Sequence, residues 1–547
     1  MRTYAIRAGM VAAVLLAAFG MPVSVSAQAP AAAPAPTAQR PLTAVQTPVP
    51  EALLRRLTAD DAVRLALENN LGLQVARFNP QLQDLNLAVT RASWTPALTT
   101  RFLQNGNNQP STGFLSGSAT STTSHQFANN VSVEQTIRTG TSYSVGWDSA
   151  RQTTNSILSS YPTQLNSSLA LSVSQPLIRN LKVDATRNQL AVTQKNREIA
   201  DVQLEQQVAV TTRGVRNAYW DLAYARASLQ VAQQALDLAN ESLRDTRSRV
   251  EIGTTPPIDI TEAQAEVANR EEAVIVAQAQ IETSQDTLRT LIYNPQSSDF
   301  WTIHIETADA PVFTPTTVDV DTAVRTALEK RSDLSQSKKS LEANELNIKF
   351  LRNQTLPDVR AQLDYGLTGV GGTYVPRNIL GNEGVTASPN DRSYFSVLGD
   401  LVSNAYPRWT AQVNIAYPIG HSQEEASLAQ ARLQYNQTLT QLRNQQLQVA
   451  TQVRESARQV VTNQKRVETT RAAREFARSR LDAEQRKFAA GTSTNFLVFQ
   501  AQRDLAQAAN NELRAILDYQ KSLIDLEAVQ QVPLNGGGGT ATVTPAR

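Results

Sequence analysis

One stretch of this 547-residue chain is written twice. Leu57–Thr99 aligns without a gap with Val318–Arg360, 261 residues further on. Asp60-x-Ala62-Val63-Arg64-x-Ala66-Leu67-Glu68 meets Asp321-x-Ala323-Val324-Arg325-x-Ala327-Leu328-Glu329, and Pro96 meets Pro357. A second echo pairs Gly253 with Gly491, each at the end of a very long helical pattern. Stacked solenoid repeats have periods of about 20–50 residues. Here each half is about 250 residues, so the repeated unit is a whole substructure and the expected fold has pseudo-twofold symmetry. The halves are read as 57–317 and 318–530, with a Gly-rich disordered tail at 531–547.

Arg2 and Arg7 precede an apolar run from Ala8 to Phe19, and Val25-Ser26-Ala27 supplies small residues before Gln28. That layout predicts a secretory signal peptide over 1–27, cleaved between Ala27 and Gln28. A transmembrane helix needs about 20 apolar residues, and this run is too short. Residues 28–56 form a Pro/Ala-rich lead-in, and no later stretch could span a bilayer as a helix. The mature protein is therefore expected to be soluble beyond the inner membrane or to cross an outer membrane as strands. A net charge of +2 gives no electrostatic reason for a nucleic-acid partner. With no cysteine, there is no disulfide framework, no thiolate metal site and no lipid-modified N-terminal Cys.

Helical periodicity dominates the rest. Val208, Val215, Leu222, Leu229, Leu236, Leu243 and Val250 recur every seven residues, with Ala218, Ala225, Ala232 and Ala239 three positions on. A strict heptad winds helices into a left-handed supercoil, and alanine lets them approach closely. Val453, Val460, Val467, Leu481 and Phe488 repeat the seam in the second half, interrupted by Arg474. The helices are expected over 184–250 and 422–489, each on the order of 100 Å long. Gly253 and Gly491 then supply tight reversals, and Pro256 and Pro257 forbid continuation. Returning helices over 259–293 and 495–528 complete the helical hairpins 184–293 and 422–528, with a linker at 294–317. The helices at 72–92 and 333–353 would complete the shorter returning helices end to end, giving a tube of even height. An ordinary coiled-coil stalk has the same periodicity.

Between the helices the period changes to two. Val359, Ala361, Leu363, Tyr365 and Leu367 alternate with polar or small residues, as do Trp409, Ala411, Val413, Ile415 and Tyr417. Leu169, Leu171 and Val173 do so in the first half, with Leu98–Gln104 as a weaker partner. Hairpins are read at 96–175 and 358–419. An apolar face of about ten residues fits a strand with lipid outside and water inside, although a soluble two-faced sheet alternates identically. Fourteen of the 31 aromatics lie in 94–161 and 356–420, as interfacial girdles require. Open sheet edges do not occur in lipid, and single-chain barrels begin at about eight strands. Four strands per chain must then be completed by other copies, and three copies give twelve. Segments 105–128 and 369–408 read as extracellular loops. An additional hairpin, Val131–Ile137 and Tyr143–Trp147 around Thr139-Gly140, either joins the barrel or extends a loop.

This order of helices, strands, long helix, Gly turn and returning helix, given twice, resembles the TolC-like outer-membrane efflux proteins. Ser174-Gln175-Pro176-Leu177 and Ala416-Tyr417-Pro418-Ile419 close the strands that lead into the long helices. Gly253-x5-Asp259-x3-Ala263-Gln264 and Gly491-x9-Ala501-Gln502 open the returning helices. The resemblance covers 57–530 and implies a fold that is mainly α with a transmembrane β portion: a homotrimeric 12-strand β-barrel in the outer membrane of a Gram-negative cell, continued by a coiled-coil helical barrel in the periplasm. It implies a passive exit duct for efflux or type I secretion, in contact with outer-membrane lipid. A periplasmic adaptor would dock at the tip turns Ile252-Gly253-Thr254 and Ala490-Gly491-Thr492, above an inner-membrane pump of RND, ABC or MFS type. The alternative is a soluble periplasmic coiled-coil adaptor or structural protein whose sheet packs on itself.

The chain departs from that family at the gate. Members ring the closed tip with carboxylates six and nine residues past the second turn's glycine, where this chain has Leu497 and Gln500. Asp259 and Glu262 hold the same spacing after Gly253; an acidic first turn is equally what a helix dipole favours. Catalytic chemistry finds little support, and no cofactor is expected. His125, His304 and His421 are isolated, without metal-ligand spacing. Gly371-Gly372 and Gly536–Gly539 lack a following Lys-Ser/Thr. Asp60-Asp61 read as N-terminal helix caps rather than an acid/base pair.

Overall fold

The computed structural model describes residues 54–110, 120–156, 159–310, 312–375, 390–420 and 422–531. The 1–27 segment with its Ala27–Gln28 cleavage point, nearly all of the lead-in and the tail, and His421 lie outside the described residues. The chain begins β1 (Leu54–Leu57), α1 (Ala59–Asn69), α2 (Leu71–Ala92). Four strands follow: β2 (Ala97–Pro110), β3 (Ser121–Thr136), β4 (Ser142–Thr154) and β5 (Thr163–Pro176). Then come α3 (Ala185–Glu251), α4 (Ile258–Ile292), β6 (His304–Thr307), α5 (Val320–Lys330) and α6 (Ser332–Gln354). The chain continues through β7 (Asp358–Tyr374), β8 (Asn390–Arg392), α7 (Tyr394–Val402) and β9 (Pro407–Ala416) to α8 (Gln423–Ala489) and α9 (Asn495–Gln530).

Helix starts are set by side chains that satisfy the free N–H groups of the first turn. Thr58, not Asp60, caps α1: its hydroxyl accepts from the Asp61 N–H at 3.1 Å, and Asp61 reaches back to the Thr58 N–H at 3.4 Å. Asp60 instead pairs with Arg216 at 3.3 Å. Asp184 and Ser422 cap the two long helices, accepting from Arg187 N and Glu425 N. α3 and α8 are 67 residues each, on the order of 100 Å. Their seams bury the heptad positions: Val215 and Leu222 beside Ala218 and Ala225 on α3, and Val453, Val460 and Val467 on α8. Arg474, which interrupts the second seam, lies 2.9 Å from Glu512 of α9, with Arg471 at 3.4 Å. Glu512 is buried, and a buried carboxylate needs such partners.

The helices lie side by side. Towards the strands α2, α3, α6 and α8 pack in that order; towards the Gly turns the order is α4, α3, α9, α8. Between these levels β1 pairs in parallel with β6, forming a strap over the helices. Tyr219, fully buried on α3, ties that strap down: its hydroxyl lies 3.0 Å from the Leu57 carbonyl and 2.9 Å from the Asp309 carboxylate. Burial, reinforced by the Asp309 charge, pushes its pKa up to about 12. No described helix is long and apolar enough to cross a membrane.

The sheet corrects the strand count. Its order is β2-β3-β4-β5-β7-β9, every pair antiparallel, with the short β8 added beside β7. The additional hairpin is therefore part of the sheet, and each copy supplies six long strands rather than four. Leu98–Gln104 pairs with β3, not with β5. Two loop assignments also fall. β2 and β3 continue through much of 105–128 as a polar ladder, because the backbone hydrogen bonds that make a strand need no apolar face. Within 369–408, β7 runs on to Tyr374, and the apolar segment Tyr394–Val402 forms α7. Gly369 and Gly371 make room for α7: a Cβ at Gly369 would stand 2.4 Å from the Val397 carbonyl oxygen. Residues 376–389 of that segment lie outside the described residues.

Register makes the two faces continuous. Leu98, Val133, Val145, Leu171, Tyr365 and Trp409 are successive partners across all six strands. The row above reads Thr100, Val131, Trp147, Leu169, Leu367, Pro407, and the row below runs from Gln135 through Tyr143, Val173 and Leu363 to Ala411. On the opposite face one row reads Ala97, Glu134, Ser144, Ser172, Asp364, Thr410, and another reads Thr99, Ser132, Gly146, Ala170, Gly366, Arg408. This polar face is the hollow one, a trough of about 910 Å³ lined by Thr99, Arg101, Asn130, Ser132, Glu134 and Asp148, among others.

Candidate functional site

Two regions are the candidates for function: the wall just described and the Gly-turn tip of the helices. Both tip turns close in the same way. The Gly253 N–H donates to Val250 O at 3.0 Å and Thr254 N–H to Arg249 O at 2.9 Å; Gly491 donates to Phe488 O at 3.1 Å and Thr492 to Lys487 O at 2.9 Å. These are paired Schellman motifs, with φ of +77° at Gly253 and +76° at Gly491. An added Cβ would meet nothing within 4 Å at either glycine. Conformation, not space within the chain, thus demands glycine there. Ile252 is 73 % exposed, and the sequence on either side projects beyond the packed helices.

Asp259 lies half-buried in the first turn of α4 and Glu262 is exposed one turn on. Among the described residues neither has an ion pair or a side-chain hydrogen-bond partner. Leu497, 38 % exposed, and the half-buried Gln500 occupy the first turns of α9. Within one chain it is Phe499, rather than Leu497, that bridges the two hairpins, packing among Leu243, Ile260 and Ala263. Sequence reasoning missed the polar latch behind it. Glu266, buried, continues the Asp259/Glu262 face of α4 and pairs with Arg270 at 2.7 Å and Arg503 of α9 at 3.5 Å. Asn495 donates to Thr246 Oγ1 at 3.1 Å, and Arg249 stacks 4.4 Å from the Phe488 ring centre. The i, i+3, i+7 spacing of Asp259, Glu262 and Glu266 was the signal available. At the second turn, the Lys487 ammonium and the Ser493 hydroxyl, each 2.8 Å away, hold the Glu484 carboxyl below the usual carboxylate range.

The two strand-to-helix junctions differ. Gln175, Pro176 and Leu177 are knotted into the fold: Thr141 bonds Gln175, and Leu177 N–H donates to Val359 O at 2.8 Å. Arg179 and Asn180 then bond Gln354 and Asn353 at the end of α6. Tyr417 and Pro418 are exposed, with Ile419 at 99 %. The difference follows from position, because β5 has neighbours on both sides and β9 is an edge strand. Among the described residues no cluster of three or more His, Cys, Asp or Glu could hold a metal.

Comparison with known proteins agrees with this architecture. The profile of the outer membrane efflux protein family matches residues 136–292 and 323–530, more than half of the chain. No curated protein sequence matches. Among solved structures, the CmeC outer membrane channel of Campylobacter jejuni superposes with a TM-score of 0.57 at 15 % identity, covering 86 % of this chain and 85 % of that one. VceC of Vibrio cholerae gives 0.57 at 15 %, covering 86 % and 96 %. The open-state MtrE channel of Neisseria gonorrhoeae gives 0.57 at 17 %, covering 86 % and 88 %. At such identities these likenesses establish the fold, and the profile establishes the kinship. A six-strand sheet with an apolar outer face joined to paired long helices thus belongs to a member of the outer membrane efflux protein family, an outer-membrane efflux channel with its helical part in the periplasm.

Proposed function

We propose that three copies close side by side into one passive duct from the periplasm to the cell exterior. The observation that carries this reading is that the chain's two lateral edges are open and apolar at the level of both sheet and helices. On one edge β2 is exposed along its whole length, and α2 presents Leu71, Val75, Phe78, Leu82, Leu85 and Val89 to solvent as a heptad stripe. On the other edge β9 is exposed throughout, and α8 shows Leu433, Leu447 and Val461 on one face. A monomer has no use for such a stripe; a neighbouring copy in a ring covers it. The helices would then form the periplasmic tunnel and the sheets a closed barrel. Crosslinking in native outer membranes should trap trimers. A dominant monomer, or recovery in the soluble periplasm without detergent, would instead support the coiled-coil adaptor reading.

The duct would bind no cofactor and hydrolyse nothing, its energy coming from an inner-membrane pump of RND, ABC or MFS type. The exposed turns Ile252-Gly253-Thr254 and Ala490-Gly491-Thr492 would receive the periplasmic adaptor. Replacing Gly253 or Gly491 with valine strains a positive-φ position by roughly 1–3 kcal/mol, too little to dismantle coiled coils of this length. Export should fall while trimer abundance stays normal. Loss of the trimer on immunoblots would assign the glycines a purely structural role. The aperture would be formed by Asp259 and Glu262 from α4 with Leu497 and Gln500 from α9.

A further inference from the structure

We propose that the barrel has eighteen strands, six from each copy, with β2 of one copy paired to β9 of the next; this rests on the trimeric reading above. The hairpin β3–β4 is not an appendage. It lies inside the hydrogen-bonded path between β2 and β5, so it cannot leave the wall without breaking two ladders. Its strands are 16 and 13 residues long, enough to cross a bilayer. Its outward residues Val131, Val133, Val145 and Trp147 continue the apolar rows on either side, and its inward residues Glu134, Asn130 and Asp148 continue the polar ones. A hairpin standing in water as a loop would need no such matching.

Ring closure fits the strand directions. Six antiparallel strands leave β2 and β9 running in opposite senses, so β9 of one copy meets β2 of the next in an antiparallel pair. The circumference also agrees. Eighteen strands about 4.8 Å apart and tilted by about 40° enclose about 110 Å. Twelve helices, four from each copy at any level, enclose about 100–120 Å at 8–10 Å spacing. The bore is then about 1.5-fold wider than that of a twelve-strand barrel, since diameter grows roughly linearly with strand number. β2 and nearly all of β3 precede the first residue matched by the family profile, whereas β4 lies inside the match.

The chain contains no cysteine, so paired cysteines report cleanly. With Val413→Cys on β9, cysteines placed singly at 98–104 on β2 should form disulfide-linked oligomers. Crosslinking of β9 to cysteines at 143–147 on β4 instead would overturn the proposal, because β4 would then be the edge. Cryo-electron microscopy of the full-length trimer in nanodiscs should show eighteen strands. A threefold particle with twelve strands would refute the wide barrel and leave the duct intact, whereas a monomeric soluble particle would remove both.

Discussion

Leu171→Arg should nearly abolish the outer-membrane trimer, while Ala170→Arg, one residue earlier, leaves it assembled. Leu171 sits in the apolar row that crosses all six strands, with Val145 and Tyr365 as its partners. Ala170 faces the polar trough between Gly146 and Gly366. The outward rows of β7 from Val359 to Leu367 span nine residues, which matches the hydrophobic height of a membrane strand and places the Val173–Leu363 row at the midplane, with the Leu171–Tyr365 row next to it. Arginine on the lipid face at midplane costs about 2–4 kcal/mol, and the trimer carries that cost three times. A guanidinium at 170 stays in water. Heat-modifiable trimer on immunoblots of outer-membrane fractions reads the difference. Equal loss from both variants would mean that the faces are assigned wrongly. The same logic applies at the edge: charge at Val413 or Ile415 should damage assembly, and charge at Gln412 or Asn414 should not.

The contrast between neighbouring residues also shows where the amino-acid pattern is informative. Val453, Val460 and Val467 predict a buried seam because a seven-residue period has one geometric meaning, and α8 buries all three. Leu169, Leu171 and Val173 likewise mark one face of β5, since period two fixes sides. β2 was harder to see. Asn105–Pro110 carries no apolar alternation, yet pairs residue by residue with Ser121–Gln126, because ladder bonds come from the backbone. Partner choice was not legible either: nothing in Leu98–Gln104 says that β3 rather than β5 lies beside it, and assigning the wrong neighbour lost two strands from the count. α7 was hidden in a segment whose overall polarity masked nine residues with apolar character. At the tip, spacing alone marks Asp259 and Glu262, whereas the burial of Glu266 depends on Arg270 and on Arg503 of a helix far away in sequence.

Leu497→Ser should raise the resting conductance of single channels several-fold and increase sensitivity to large antibiotics. In the proposed aperture each copy contributes Leu497, 38 % exposed on the first turn of α9, where a carboxylate is the family's usual residue. Three leucines across a narrow tip resist wetting, and a constriction that sheds water blocks ions without any fixed charge. Serine removes that barrier at little cost to folding, because the packed residues here are Val498 and Phe499 rather than Leu497. Asp259 and Glu262 act differently. They have no cationic partner among the described residues, so in the proposed trimer three copies of each would draw cations towards the opening, with a reach of about 8 Å at physiological salt. Asp259→Asn with Glu262→Gln should therefore reduce cation preference in planar-bilayer recordings and leave the conductance of the closed tip unchanged. If Leu497→Ser leaves conductance where it was and neutralising Asp259 raises it, the constriction is held by charge and the apolar gate is wrong.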